Sequence, residues 1–378
     1  MEDNISERIR KLTEKGVMII DPRQTYISGE VDLDRIYKGC ALYPGTRLTG
    51  ARTLIGSFAQ IGTEGPAAIH DTIIGSHAEV ASGYLTEATL LPGAQAGANS
   101  HFRAGTLLEE KASTAHTVGL KQTILMYGVT FGSLINFCDA LVSGGRSRAE
   151  HTEVGSGFIH FNFTPWGRHG DKATPSLVGN VTDGVFLDRD RIFLGGMSGI
   201  VGPLSVGFGA ITVAGQVVRD SVADSNIRSD TGGKTDKDRP ASDVKRSDKR
   251  LERIRERNIE FIAQLFALNA WYVQVRLRRS RLQENPELSL VLTGAIETIR
   301  ICINERTKRY NSFAEEWSLP VIDKKCLYKE MADPEFSVDW NPELDHDKWV
   351  WGLDAKEKQD LKHWLASAAG NMKNTLLE

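Results

Sequence analysis

The stretch IYKGCALYPGTRL, residues 36–48, decides the fold of the first part of this chain. Its large aliphatic residues Ile36, Leu42 and Leu48 are six positions apart, and small or turn-forming residues stand between them. A period of six fits neither an α-helix nor an amphipathic strand, whereas it fits a coil with three flat faces per turn. We therefore predict a left-handed parallel β-helix (hexapeptide repeat) over residues 18–222, rather than a glycine-rich β-sandwich.

Glycine content shows where the repeat ends. The period resumes at Ile55 and Ile74, and it returns in VGFGAITVAGQVV, residues 206–218. The 36 glycines of the 378 residues concentrate before about residue 220, whereas tryptophan and long charged runs concentrate after it. Stacked coils of this kind need caps at their ends. The shift in composition therefore predicts a domain boundary just after the last coil.

The flanking segments are predicted to be helical. An amphipathic helix within residues 1–17 would cap the first coil, and the polar residues 223–242 read as a linker. Apolar residues three and four apart from Leu251 to Val275 then predict a long helix, either a coiled-coil seam or one face of a bundle. We therefore predict an α-helical domain over residues 243–378.

Composition and charge narrow the class of protein. With 40% hydrophobic residues, 25% charged residues and a net charge of −3, the chain gives no general case for nucleic-acid or membrane binding. No stretch approaches the ~20 apolar residues of a membrane span, and MEDNISERIRK has no apolar signal-peptide core. We therefore expect a cytoplasmic protein. The cysteines lack metal-type spacing and are expected to be reduced thiols: Cys40, Cys138, Cys302 and Cys326.

Motifs of the repeat region carry a family resemblance. They are GVMIIDP (16–22), IIGSHAEV (73–80), FRAG (102–105), VGSGFIHFNF (154–163) and IFLGGMSGIVGPLSVGFGAITVAG (192–215). In this order they resemble the acetyltransferase domain of bifunctional N-acetylglucosamine-1-phosphate uridyltransferase/glucosamine-1-phosphate acetyltransferases. No glycine-rich nucleotide loop precedes the β-helix, so we do not expect the uridyltransferase reaction. The helical segment after the repeat is also outside the family pattern.

The resemblance implies a reaction and its partners. In the family, acetyl-CoA acetylates a phosphorylated amino sugar, and adjacent subunits of a homotrimer build each site. The chemistry needs a base for the attacking amine, cations for the phosphate and donors for the oxyanion. We therefore expect a hexapeptide-repeat acyltransferase of the UDP-N-acetylglucosamine pathway. Its ligands would be acetyl-CoA and a sugar phosphate or sugar nucleotide.

Site residues follow from the same alignment of motifs. Arg103 of FRAG matches a phosphate-contacting arginine, Lys121 a substrate-binding lysine, and Asn162 the asparagine of an Asn-Tyr pair whose tyrosine is Phe163 here. Lys172 matches a further phosphate-contacting lysine. The remaining predicted contacts are Asn136 for the sugar and Gly195 and Ala214 for acetyl-CoA.

The family's catalytic histidine is missing. In GSLINFCDA, residues 132–140, Ser133 occupies the place of that histidine and Asn136 the place of a tyrosine. A serine hydroxyl is not a general base near neutral pH. His160, in FIHFNF, is our candidate for the replacement base; the other candidates are His116, His151 and His169. These histidines lack the short spacing of metal ligands, so no metal site is predicted.

A polar insertion stands next to the predicted sugar site. Residues 164–176, TPWGRHGDKATPS, combine Arg, His, Asp and Lys with Trp166, whose ring could stack on a sugar or an adenine. The alternative for this insertion is an exposed loop with no ligand.

Three functions remain open at this point. The first is an acyltransferase with an altered base or substrate. The second is a non-catalytic sugar-nucleotide-binding or regulatory protein that kept the fold and lost the base. The third is a scaffold whose helical region recruits a partner.

Overall fold

A computed structural model describes residues 5–162, 172–229, 248–328 and 338–377. The first part of the chain is a parallel β-solenoid, and the helices are concentrated after residue 248. Both halves of this architecture confirm the predicted fold class. Every strand pair in the solenoid is parallel, since each coil returns to the same wall after about three hexapeptides.

The first wall is a sheet of 11 short strands. Their order in the sheet is the order of the coils along the axis. The strands are β1 (Met18–Ile19), β3 (Ala41–Leu42), β6 (Gln60–Ile61), β9 (Glu79–Val80), β12 (Gln95–Ala96), β15 (Ser113–Thr114), β17 (Thr130–Phe131), β19 (Glu153–Val154), β22 (Phe193–Leu194), β25 (Ile211–Thr212) and β27 (Ile227–Arg228).

The second sheet has 16 strands and forms the other two walls. The open wall contains β2 (Tyr26–Ile27), β4 (Arg47–Thr49), β7 (Ala67–His70), β10 (Gly83–Thr86), β13 (Ser100–Phe102), β20 (Ile159–Phe161), β23 (Gly199–Val201) and β26 (Val217–Val218). The covered wall contains β5 (Leu54–Ile55), β8 (Ile73–Ile74), β11 (Ala88–Leu90), β14 (Thr106–Leu108), β21 (Ser176–Val178) and β24 (Leu204–Val206). Two long strands, β16 (Gly119–Leu125) and β18 (Asn136–Val142), bend from the open wall into the covered wall.

Alternation along the strands fills the interior of the solenoid. On the open wall, Phe102, Leu120 and Phe137 point inward, are fully buried and stack one coil upon the next. At the bend of β18 the chain turns through Asp139, whose φ of +59° is a left-handed conformation that aspartate tolerates better than most residues. The repeat therefore fixes which side chains leave the wall toward solvent.

The solenoid is followed by a set of packed helices. In the described part of the chain the helices are α1 (Ile5–Glu14), α2 (Val181–Gly184), α3 (Asp248–Trp271), α4 (Leu277–Leu282), α5 (Pro286–Glu316), α6 (His346–Gly352) and α7 (Ala355–Leu377). Short 3-10 turns lie at Pro22–Gln24, Leu33–Arg35 and Lys324–Tyr328, and a π-helix at Tyr272–Arg276 joins α3 to α4. Ile9 and Leu12 of α1 are buried in the core at the start of the solenoid.

Helix α5 runs along the outside of the covered wall. Gly294 packs on Ile73, the Thr298 hydroxyl lies 2.9 Å from that of Thr89, and Cys302 Sγ donates to the Gly105 carbonyl at 3.1 Å. Residues four apart on the helix therefore meet successive coils. A Cβ at Gly294 would lie 2.0 Å from Ile73 Cδ1, so any larger residue there would push the end of the Ile73 side chain aside.

The covered wall and the helices share one hydrophobic core. Leu91, Leu107 and Ile124 point outward from the wall and are buried among apolar residues of α3, α5 and α7. A second core fills the interior of the solenoid. The division at residues 223–242, predicted as a linker, stays a prediction, and residues 230–247 lie outside the described part of the chain.

Within the described ranges, no helix has the length and apolar character needed to cross a bilayer. Of the cysteines, Cys40, Cys138 and Cys302 are buried thiols, and Cys326 is partly exposed.

Candidate functional site

The outward face of the open wall brings several predicted site residues together. In β16 Leu120 points inward and Lys121 outward, and in β18 Phe137 points inward and Asn136 outward. The parallel register places Lys121 directly beside Cys138 of the next coil. Successive coils thus add one polar position each to a single surface.

Arg103 lies at the edge of this surface, over Cys138. Its Nη2 donates to Cys138 Sγ at 3.6 Å, while the rest of the side chain is exposed. Burial raises the pKa of the Cys138 thiol and the charge of Asp139 raises it further, although Arg103 and Lys121 oppose them. The thiol therefore stays protonated and is not a nucleophile at neutral pH.

Asp139, at the corner between the open and the covered wall, contacts a residue of the next coil and a residue of α5. Asn162 Nδ2 donates to Asp139 Oδ2 at 3.4 Å, and Arg306 Nη1 lies 3.4 Å from Asp139 Oδ1. The Arg306 side chain is only 1% exposed, so its charge acts through a low-dielectric environment. The pairing with Arg306 holds the Asp139 carboxylate at the corner. Arg103 and Lys121 are cations on the outward face.

Arg306 comes from α5, which the sequence analysis did not connect with the site. Its Nη2 donates to the Lys172 carbonyl at 2.7 Å, so the helix also holds the chain where the polar insertion returns to the solenoid. The predicted residue Lys172 is thus placed through its backbone, with its side chain exposed. Nothing in the sequence singles out Arg306, because α5 also carries Arg300 and Arg309.

The charge of this cluster suits an anion. Arg103, Lys121 and Arg306 are cationic, and the Asp139 carboxylate is paired with Arg306. Glu305 of α5 is paired with Arg309 at 2.7 Å, which compensates its charge. Arginine and lysine so arranged favour phosphate through charge-assisted hydrogen bonds.

A second polar feature lies at the other edge of the open wall, where the first wall turns into it. Thr114 pairs with Phe131 and Phe131 with Val154, so the residues two positions further on form a column. We call this column, His116, Ser133 and Ser156, the polar edge. The Ser133 hydroxyl lies 3.0 Å from His116 Nδ1, and the Ser133 amide donates to Ser156 Oγ at 3.1 Å.

The predicted acetyl-CoA residues lie further along this edge. The same register continues from Val154 to Leu194 and Thr212, which places Gly195 and Ala214 two and three coils beyond Ser133. A Cβ at Gly195 would lie 2.4 Å from the Ala214 amide nitrogen, so only glycine fits this coil spacing. Their contact with a cofactor stays a prediction.

His160 does not share this surface. It points into the solenoid between Phe137, whose ring centroid is 5.6 Å away, and Ile200, and it is 3% exposed. Its Nε2 is hydrogen-bonded to Ser176 Oγ at 2.8 Å. Burial lowers the pKa of His160 to about 4. The catalytic role stays a prediction that this geometry does not favour, because a buried imidazole has no access to substrate.

The remaining predicted contacts are placed as follows. His151 is bonded through Nδ1 to the Arg148 carbonyl at 2.8 Å, in a loop between β18 and β19. Phe163, Trp166 and His169 lie outside the described residues, as does most of the insertion at 164–176. No group of three or more His, Cys, Asp or Glu side chains that could hold a metal ion occurs among the residues that the structure describes.

A separate charged cluster lies under the helices, and we call it the junction cluster: Glu109, Glu110, Lys111, Tyr127, Tyr272, Arg276 and Asp347. Tyr272 donates to Glu109 at 2.7 Å, and Arg276 contacts both Tyr272 and Glu110. Lys111 and Tyr127 both donate to Asp347 at 2.7 Å. An adjoining cavity has a volume of about 220 Å³.

Buried charges in the junction cluster compensate one another. Burial raises the pKa of Glu109, and the charge of Arg276 opposes this. Burial alone would lower the pKa of Arg276, but the charges of Glu110 and Glu109 raise it above its ordinary value. The cluster therefore joins the solenoid to α6 and the π-helix by matched charges.

Comparison with known proteins supports the resemblance. No family model matches the chain. The chain is similar to proteins named "Bifunctional protein GlmU" from Thermotoga petrophila, with 27% identity over 217 residues, and from Nocardia farcinica, with 30% identity over 207 residues. A third, from a Geobacillus species, is 27% identical over 227 residues.

These alignments cover only part of either protein. They include 57%, 55% and 60% of this chain and 42%, 36% and 44% of the respective relatives. This chain thus matches about two fifths of each GlmU protein. The similarity and the parallel solenoid together confirm the predicted resemblance to an acetyltransferase β-helix.

Proposed function

We propose that this protein is an acyltransferase that acetylates a phosphorylated or nucleotide-linked amino sugar, with acetyl-CoA as donor. The observation that carries the proposal is the outward face of the open wall. There Arg103, Lys121 and Asn136, all expected from the family resemblance, lie on adjacent coils, with Asn162 at the corner and Arg306 behind them.

Each residue of this face has a binding role that suits its chemistry. Arg103 and Lys121 bind the phosphate, because both are cationic and face outward. Asn136, which is exposed between them and the polar edge, hydrogen-bonds a sugar hydroxyl. Asp139 and Arg306 hold the corner in place and keep Asn162 in position.

The donor is proposed to lie along the polar edge and its extension. Small residues follow one another there, with Ser156, Gly195 and Ala214 on successive coils. We propose that the extended arm of acetyl-CoA runs over these small residues to Ser133. When bound, acetyl-CoA supplies the thioester that the sugar amine attacks.

The test is titration calorimetry with acetyl-CoA and with glucosamine 1-phosphate, together with thiol release measured during turnover. Arg103→Ala and Lys121→Ala should each weaken sugar-phosphate binding about 10- to 100-fold, the loss of one charge-assisted hydrogen bond. Arg47→Ala is the matched control, because Arg47 is an exposed arginine of the open wall several coils away. Absence of any CoA binding would contradict the proposal.

A second candidate is a non-catalytic sugar-nucleotide-binding protein. Ser133 in the place of the family histidine, together with the burial of His160, favours it. It predicts sugar-phosphate binding that depends on Arg103 and Lys121, with no thiol release. A homotrimeric assembly and a cytoplasmic location stay predictions; light scattering tests the first and fractionation of cells the second.

A further inference from the structure

The polar edge contains a hydroxyl–imidazole pair that the family resemblance does not supply. His116 stands one coil before Ser133 in the same column, and its Nδ1 lies 3.0 Å from the Ser133 hydroxyl. His116 is exposed, and Ser133 is partly exposed. Both groups are therefore within reach of a ligand on the open wall.

The stacking of the coils explains why these two residues meet. Neighbouring strands of a parallel sheet are about 4.8 Å apart, so equivalent positions on adjacent coils are neighbours in space. The neighbour of Ser133 on the preceding coil is thus His116, although 16 residues separate them in the chain. Ser133, which occupies the place of the family histidine, thus has a histidine beside it on the preceding coil.

Other histidines do not take this place. His160 is enclosed in the interior against Phe137, and His151 is bonded to the Arg148 carbonyl. Within the described ranges of the chain, the imidazole that is hydrogen-bonded to the Ser133 hydroxyl is that of His116. Ser156, on the other side, accepts a hydrogen bond from the Ser133 amide, so the Ser133 hydroxyl can turn toward His116.

We propose that Ser133 and His116 together act as the base of the acetyl transfer, and this inference rests on the proposed function. The sugar amine attacks the thioester carbonyl, so a C–N bond forms and the C–S bond breaks. The Ser133 hydroxyl accepts the proton of the attacking amine while it passes its own proton to His116 Nδ1. The coenzyme A thiolate then takes the proton back from the imidazolium, which restores both residues.

This relay fixes the tautomer of His116. Its Nδ1 must be the acceptor of the Ser133 hydroxyl, so its ring proton lies on Nε2. With that tautomer Ser133 donates to the imidazole and keeps a lone pair for the amine. The pair then presents a basic oxygen where the family has an imidazole.

The experiment measures thiol release with acetyl-CoA and glucosamine 1-phosphate for four variants. His116→Gln and Ser133→Ala should each lower kcat about 10²- to 10⁴-fold, with KM for the sugar unchanged, since general-base catalysis contributes about that much. The double variant should be no slower than either single one, because the residues act as a unit. His77→Gln, an exposed histidine at another corner of the solenoid, should retain full activity.

Rescue separates a base from a merely structural role. Ser133→His in the His116→Gln background places an imidazole where the family has its base, and it should restore most of the lost kcat. Circular dichroism and melting temperature should match the wild type throughout, because both residues are at the surface.

Each other result overturns the inference. If the wild type acetylates the sugar and His116→Gln stays within threefold of it, the relay is wrong while the proposed function stands. An acetylated Ser133 in a mass spectrum of the turning-over enzyme would also refute it, because the serine would then be a nucleophile. If the wild type binds neither ligand and releases no thiol, the proposed function fails, and the inference fails with it.

Discussion

The open wall and the covered wall of the solenoid are built from the same repeat, yet their outward faces have opposite characters. On the covered wall Leu107 and Ile124 are buried under helices. On the open wall the outward positions of the same coils carry Arg103, Lys121 and Asn136. One strand, β16, contributes to both faces within seven residues.

The difference shows how a repeat divides stability from function. Inward side chains hold every coil together, so the outward positions of each wall are free to vary. Apolar side chains on one wall bind helices and add to the core, while polar side chains on another wall form a site. Removing a side chain should therefore cost stability on the covered wall and ligand binding on the open wall.

The largest effect is expected at the junction cluster, beside the covered wall. Arg276→Met leaves Glu109 and Glu110 buried without their cation, and it should lower the free energy of unfolding by about 4 kcal/mol. Urea denaturation followed by circular dichroism measures it. Arg253→Met, at an exposed arginine, is the control and should change stability by less than ~0.5 kcal/mol. Equal effects of the two variants would contradict the structural role of the cluster.

The next effect compares the two walls directly. Leu107→Ala removes a fully buried side chain between the covered wall and the helices, and it should cost about 3 kcal/mol. Phe161→Ala, on the open wall, removes a larger side chain that is 42% exposed and should cost less than ~1 kcal/mol. The same denaturation series decides it. A greater loss for Phe161→Ala would mean that the open wall is itself covered in solution.

The stability of the solenoid should decrease at low pH because of a histidine buried in its interior. Burial lowers the pKa of His160 to about 4, whereas a histidine in an unfolded chain titrates near pH 6.5. As the pH falls between these values, the unfolded state takes up a proton that the folded state does not, so stability decreases. His160 should contribute a loss of roughly 3 kcal/mol over that window.

The control for this pH dependence is His160→Phe, which keeps an aromatic ring beside Phe137. The free energy of unfolding, measured at pH 7, 5.5 and 4, should change less with pH in the variant than in the wild type. Burial also lowers the pKa of His346, under the helices, so part of the slope should remain. An unchanged slope would mean that His160 is protonated freely in the folded state.

The smallest effect is expected where the two walls meet. Arg306→Lys keeps the charge beside Asp139 and removes the planar group that also reaches the Lys172 carbonyl. It should cost about 1–2 kcal/mol of stability, the loss of a hydrogen bond to a buried group. Sugar-phosphate binding should weaken with it. Stability lost without any change in binding would separate α5 from the site.

The sequence was sufficient for the scaffold but only for part of the site. The period of six predicts which residues turn inward, because a solenoid repeats one geometry, and Leu120 and Phe137 follow it. The same alternation carries His160 inward with Phe158, whereas a role for His160 as the base requires that inward face to be a ligand pocket. The pattern thus distinguishes two faces without saying which one a ligand meets.

Contacts between distant segments could not be predicted from local patterns. Arg306 of α5 reaches Asp139 although it lies more than 160 positions further along the chain. Its spacing within α5 is that of any arginine on an amphipathic helix. The sequence offers His116 as one of several candidate histidines. Its pairing with Ser133 depends on the register between adjacent coils, which the period of six alone does not fix.

The spacing of contacts along α5 has a consequence for how such proteins change length. Gly294, Thr298 and Cys302 meet successive coils, so four residues of helix accompany one coil of solenoid. A duplicated coil in the middle of this chain would therefore leave every later helix contact one coil out of step. Growth of the repeat and growth of α5 must occur together, and the helix thereby limits a fold that otherwise lengthens freely.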